Sequence, residues 1–327
     1  MKDKAHWRYN AAKRELPLDT SNSILRSARH FFAGTLLSRL SGMLRDIAMA
    51  FCFGSAPEIA AFMVSYRLAN LFRRLLGEGN LQAGFVPHFE TLRADSPEKA
   101  ASFYRDVSFS LAFLLLGVIG MLEIALWGLW YWAGPEWREI AELAMWMAPG
   151  LFFICLYALK CALLQCQKKY FLPAAAPVIF NFVWIIAVFF VWHLPKDAAV
   201  RALSIAITLA FAGQWLVTIF SERQLLSSQM SGSEWLRPNL FSKEWKLLIK
   251  PLSLGIIGIG AVQFNSAFDA VFARLADAEG PAFLWFAIRI EQLPLALFGI
   301  ALSGALLPPL SRAIKKGDFP LYRELLQ

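Results

Sequence analysis

Arginine is the residue type that the apolar parts of this sequence leave unexplained. Arg39, Arg45, Arg67, Arg73, Arg74 and Arg289 all stand within or beside hydrophobic runs. A charged side chain at the centre of a bilayer helix costs roughly 2.5–3.5 kcal/mol on insertion scales. Near a helix end, reaching back to the interface lowers that cost; elsewhere the group must face protein or a water-filled cavity. Spacing shows which residues share a face. Ser38, Ser41, Gly42 and Arg45 follow i, i+3, i+4, i+7, with Arg39 one position round. Arg67, Asn70, Arg74 and Glu78 follow i, i+3, i+7, i+11, a single polar line from which Arg73 is offset. Arg73 and Arg74 are open to two readings, as snorkelling anchors of a helix end or as part of a cavity wall. Arg39 and Arg45, flanked by apolar turns, and Arg289 in mid-segment favour a cationic cavity. Arginine offers forked donors to phosphate oxygens, so the substrate class would be phosphate-bearing.

Other polar groups are sparser. Gln263, Asn265, Ser266 and Asp269 interrupt an apolar frame, with Asn265 and Asp269 as i, i+4 neighbours. Asp269 could bind a coupling cation or a proton; alternatively it pairs with an internal arginine such as Arg289 or Arg274. Gly77, Gly79, Gly84 and Pro87 weaken the helix that carries the second polar line, as a broken helix at a cavity or as an ordinary helix end. His6, His30, His88 and His193 are scattered, and no HExxH, P-loop or GxSxG motif is present. Cys52, Cys155, Cys161 and Cys166 form no CxxC pair and read as packing residues. No enzyme activity, metal site or cofactor is expected.

The elements that must position these groups are membrane spans. The 327 residues are 57% hydrophobic and 17% charged, with mean hydropathy +0.49, far from a soluble domain. Apolar stretches of helical spanning length lie near 31–53, 59–77, 103–132, 140–165, 173–194, 199–221, 247–274 and 281–310. The class is an all-α polytopic membrane protein, without the alternation of a transmembrane barrel. The net charge of +8 does not indicate nucleic acid, because Lys and Arg concentrate in the N-terminal arm and in every second connection. That pattern places the N-terminus in the cytoplasm. The first 30 residues lack the apolar core and cleavage site of a signal peptide. The expected organisation is a cytoplasmic arm (1–30), a six-span lobe (31–222), a cytoplasmic connector (223–246), two spans of a second lobe (247–312) and a cytoplasmic tail (313–327). A shift of 222 residues lays 62–87 over 284–309, matching Arg67 to Arg289, Leu71 to Leu293, Leu75 to Leu297, Gly77 to Gly299, Ala83 to Ala305 and Pro87 to Pro309. Repeated lobes with a site between them are a transporter architecture.

The stretches LLSRLSGMLRDIAMAFCFG (36–54), AAFMVSYRLANLFRRLLGEGNLQAGFVPHFE (60–90), YFLPAAAPVIFN (170–181) and FAIRIEQLPLALFGIALSGALLPPLSR (286–312) together resemble the MurJ (MviN) lipid II flippases of the multidrug/oligosaccharidyl-lipid/polysaccharide transporter superfamily. The resemblance runs from about residue 25 to residue 327. It implies a bacterial inner-membrane protein that moves an undecaprenyl-diphosphate-linked peptidoglycan precursor from the cytoplasmic to the periplasmic leaflet. It also implies a V-shaped cationic cavity between two lobes, with the lipid bilayer and cell-wall synthesis proteins as further partners. The family's cavity residues carry over onto Ser38, Arg39, Arg45, Arg73, Arg74 and Arg289, with Arg67 in place of a lysine. The resemblance ranks Arg73 above Arg74, whereas the spacing favours Arg74. Two positions depart from the pattern: a family aspartate is Ala60, with Glu58 nearby, and a glutamate after the last arginine is Gln292, with Glu291 beside it. Family members have about fourteen spans, so the chain is expected to be a fragment or truncated reading frame that does not transport alone. The rival readings are a related exporter of drugs or polysaccharide-lipid, and a non-transporting membrane remnant.

Overall fold

The computed structural model describes residues 21–76, 80–226, 237–240 and 242–292. Glu78, Gly77 and Gly79, most of the N-terminal arm, much of the connector, the tail and the second half of the later repeat copy lie outside them. Among the described residues all regular structure is helical. In chain order the helices are α1 (Ser21–Phe53), α2 (Pro57–Leu76), α3 (Asn80–Asp95), α4 (Pro97–Trp132), α5 (Pro135–Met147), α6 (Gly150–Cys166), α7 (Phe171–Ala175), α8 (Pro177–Val191), α9 (Lys196–Leu226) and α10 (Lys243–Ala276). A last helix, α11, covers 280–292.

Local chemistry sets several boundaries. Gly54 ends α1 with φ +63°, a left-handed conformation that costs glycine little. Ser96 caps α4, its side chain accepting from the Lys99 amide, with proline following at the first helical position. Ser242 caps α10 in the same way, accepting from the Trp245 amide at 3.2 Å. The expected spans are mainly helical, as far as the described residues run, with interruptions at 148–149 and 176 and a non-helical end at 192–194. Among the described residues, four stretches are long and apolar enough to cross a membrane: Pro97–Trp132, Phe171–Val191, Lys196–Ile219 and Leu252–Ala276. The pair α5 and α6, bent by 44° next to Pro149, makes a fifth if counted as one broken span. α1 and α2, of 33 and 20 residues, have the length but carry the arginines. Gly84 and Pro87 lie within α3.

Packing inverts between inside and outside, as a bilayer solvent requires. Phe113, Met121, Ile124, Phe189 and Phe190 face outward, while Phe62, Phe85, Tyr104 and Trp184 are fully buried. Trp127, Tyr131 and Trp132 are exposed at the end of α4, where an aromatic belt would meet the headgroups. Lipid is as apolar as leucine, so close backbone approach between helices does more of the holding. α1 lies against α7 and α8, and at Gly34 the contact is tight: a Cβ there would sit 2.7 Å from Ala174 Cβ and 2.9 Å from the Phe171 carbonyl oxygen. We expect Gly34→Ala to push α1 off α7 and destabilise the fold by about 1–3 kcal/mol, read as a lower melting temperature in detergent. An unchanged melting temperature would show that this crossing has slack.

Candidate functional site

Three helices bring charge to one place. α1 projects Arg45 and Asp46, α8 contributes Asn181 and Trp184, and α11 contributes Arg289. Arg45 is only 6% exposed. Its Nε and Nη2 donate to Asp46 Oδ1 at 3.0 and 2.7 Å, and Nη1 donates to Asn181 Oδ1 at 2.9 Å. Asn181 is in turn held by donating to Ser41 Oγ at 2.9 Å and to the Ser38 carbonyl at 3.2 Å. The Arg45 guanidinium lies 4.5 Å from the Trp184 ring centre, and the Trp184 indole N–H donates to Met49 Sδ at 3.3 Å. Every part of that side chain is fixed.

The second oxygen of Asp46 crosses to another helix. Arg289 Nε lies 3.2 Å from Asp46 Oδ2, and its guanidinium sits 4.4 Å from the Trp285 ring centre. One carboxylate thus serves two guanidinium groups, leaving the trio with one net positive charge. Tyr66 packs edge-on against both Trp184 and Trp285, so the two cation–aromatic contacts share a wall.

This bridge lines a cavity of about 940 Å³. Ser38, Arg39, Arg45, Arg73, Arg74 and Arg289 all line it. A smaller chamber of about 180 Å³ adjoins it and takes in Arg67, Asn70 and Trp285, with Arg73, Arg74 and Arg289 common to both. Arg73 is not off the polar line in effect, because its Nε donates back to Asn70 Oδ1 at 2.8 Å. Arg74 reaches Gln263 Oε1 on α10 at 3.3 Å. Spacing and resemblance disagreed over Arg73 and Arg74; the structure places both at the cavity.

Asp269 and Asn265 are exposed on α10 and line neither chamber. The expected pairing of Asp269 with Arg289 or Arg274 is not formed. Arg289 pairs with Asp46, which is nearer, while Arg274 donates to the carbonyls of Pro57 and Ala278 at the turns flanking α2 and α10. Asp269 is instead within electrostatic reach of Arg67. At the departures from the family pattern, Ala60 is fully buried, Glu58 Oε2 is buried without a hydrogen-bond partner, and Gln292 takes the place beside Arg289, at 3.5 Å.

Sequence reasoning missed Asp46 and Asn181. Both stood in view, an aspartate next to an arginine in mid-span and an asparagine closing an apolar run. Asking what neutralises each internal arginine would have found them.

The family model described as MurJ, lipid II flippase MurJ, matches residues 49–327. This chain belongs to the MurJ lipid II flippase family. It is 33% identical over 300 residues to the probable lipid II flippase MurJ of Chlamydia pneumoniae, covering 92% of this chain and 54% of that protein. It is 29% identical over 302 residues to the lipid II flippase MurJ of Burkholderia cenocepacia, covering 89% and 58%. The chain therefore spans about half the length of the curated relatives it matches. Among solved structures it resembles a lipid II flippase MurJ in an inward closed conformation (TM-score 0.70, 22% identical, covering 87% of this chain and 59% of that one). It also resembles an inward-facing MATE family multidrug transporter of the MOP superfamily (TM-score 0.52, 15% identical, covering 97% and 67%). These likenesses show a shared fold.

Asp46→Ala leaves Arg45 buried without its counter-charge, which should destabilise the protein by about 3 kcal/mol. Thermal unfolding in detergent measures this, and a melting temperature equal to wild type would remove the bridge from the list of stabilising contacts.

Proposed function

We propose that the cavity holds the diphosphate and sugar head group of an undecaprenyl-linked peptidoglycan precursor, and that the protein carries it from the cytoplasmic to the periplasmic leaflet of the bacterial inner membrane. The observation that carries this reading is the bridge of Arg45, Asp46 and Arg289, facing a roomy cavity that Arg39, Arg73 and Arg74 also line. A diphosphate needs several forked donors converging in a site of low dielectric, and arginine supplies them. Asp46 holds two of those donors in place without cancelling both. The curated relatives named as lipid II flippases support the same substrate, and the distribution of basic residues supports a cytoplasmic N-terminus.

The bridge also supports alternating access between two lobes. Arg45 belongs to α1 and Arg289 to α11, so a ligand that competes with Asp46 for these guanidinium groups changes the tie between the two helices. Binding moves a conformational equilibrium only by such differential contacts. An exporter of cationic drugs would need free acid in the cavity. The carboxylate that lines it among the described residues, Asp46, is already shared by two arginines. A passive scaffold gives no reason to line a membrane cavity with arginine.

The test is complementation of a flippase-depleted bacterial strain by the complete protein. Arg45→Ala or Arg289→Ala, accumulating to wild-type level, should each abolish rescue. Normal growth with either variant would refute the phosphate-binding role of the bridge.

A further inference from the structure

The small chamber beside the main cavity differs from it in chemistry. Arg67 and Trp285 line the chamber alone, and Arg74 lines both spaces. Arg67 Nη1 meets only the Ser266 carbonyl at 3.4 Å, and Arg74 Nη1 meets the Gln263 amide oxygen at 3.3 Å. Both contacts are long and neutral, unlike the 2.7 Å ionic contact that holds Arg45. Trp285 is 5% exposed, and its indole N–H has no hydrogen-bond partner. Among the described residues one carboxylate, Asp269, lies within electrostatic reach of Arg67, exposed on α10 and outside the chamber. The chamber therefore presents donors in excess, in a volume of about 180 Å³ against about 940 Å³ in the main cavity.

We propose that this chamber is a second oxyanion subsite, which takes a carboxylate from the peptide of the head group while the Arg45–Asp46–Arg289 bridge takes the diphosphate. The proposal rests on the head group occupying the main cavity. The two phosphates of a diphosphate are adjacent and are both served at the bridge. The adjoining chamber, with Arg67 and Trp285 in its wall, gives a second anion its own donors. A planar carboxylate matches the guanidinium fork of Arg67 or Arg74. Recognition of two anionic groups would let the protein tell a peptide-bearing head group from bare polyprenyl diphosphate.

The experiment measures affinities of the complete protein in nanodiscs for three ligands. These are the precursor with free peptide carboxylates, the same precursor with those carboxylates methyl-esterified, and undecaprenyl diphosphate. Esterification should weaken wild-type binding by about tenfold, the loss of one charge-assisted hydrogen-bonded contact. Arg67→Gln should weaken binding of the free-carboxylate precursor by a similar factor and abolish the effect of esterification, and Arg67→Lys should restore part of the loss. Undecaprenyl diphosphate should bind Arg67→Gln as well as wild type, which also shows that the variant is folded. An equal loss for undecaprenyl diphosphate would make Arg67 part of the diphosphate site and overturn the proposal, as would esterification without effect. Arg289→Ala separates the two readings. If that variant keeps full affinity for undecaprenyl diphosphate, the assignment of the bridge fails, whatever Arg67 does.

Discussion

A carboxylate shared by two guanidinium groups is the constraint around which the described helices are arranged. An arginine inside a membrane bundle has no water to fall back on, so its position is tenable only where counter-charge, hydrogen-bond acceptors and an aromatic face converge. Asp46 supplies the charge to Arg45 on its own helix and to Arg289 on α11. Asn181 on α8 supplies the remaining acceptor, and Trp184 and Trp285 supply the ring faces. Moving any one of these helices leaves a charge unsatisfied. Three elements far apart in sequence are thereby held to one geometry.

The bridge also explains the unequal treatment of the arginines. Arg45 is locked by neighbours on every side and buried. Arg39 and Arg74 are exposed at the cavity, and Arg67 meets a carbonyl at long range. A protein that merely tolerated arginines would satisfy them all alike. Here a fixed cationic trio adjoins less constrained donors, an arrangement that suits a ligand with several anionic groups. The two chambers meeting at Tyr66, Arg73, Arg74 and Arg289 give such a ligand two places to put charge.

Much of the fold was legible in the residues themselves. Apolar length marked the spans, since a helix is the economical way to satisfy backbone groups in hydrocarbon. The helix boundaries at Ser96, Ser242 and Gly54 went unread, although local hydrogen bonding and φ set them. The family was legible too, because the arginine-rich motifs of α1 and α2 stand out from an apolar background. The internal repeat aligned Arg67 with Arg289, and in the structure both guanidinium groups flank Trp285, at 5.8 and 4.4 Å from its ring centre.

What the sequence determined by itself was which side chains are too costly to face lipid, since that follows from charge and from position within an apolar run. It could not determine how those charges are paired. Asp269 lies twenty residues before Arg289 on a facing apolar segment and was a reasonable partner, yet the counter-ion is Asp46, 243 residues away. Pairing depends on the rotation of each helix about its axis and on which helices touch, and these are set by packing such as Gly34 against Ala174. Helical spacing likewise put Arg73 off the polar line, while a long side chain bending back to Asn70 brings it to the cavity. Tertiary contact alone decided which of the internal arginines became fixed and which remained available.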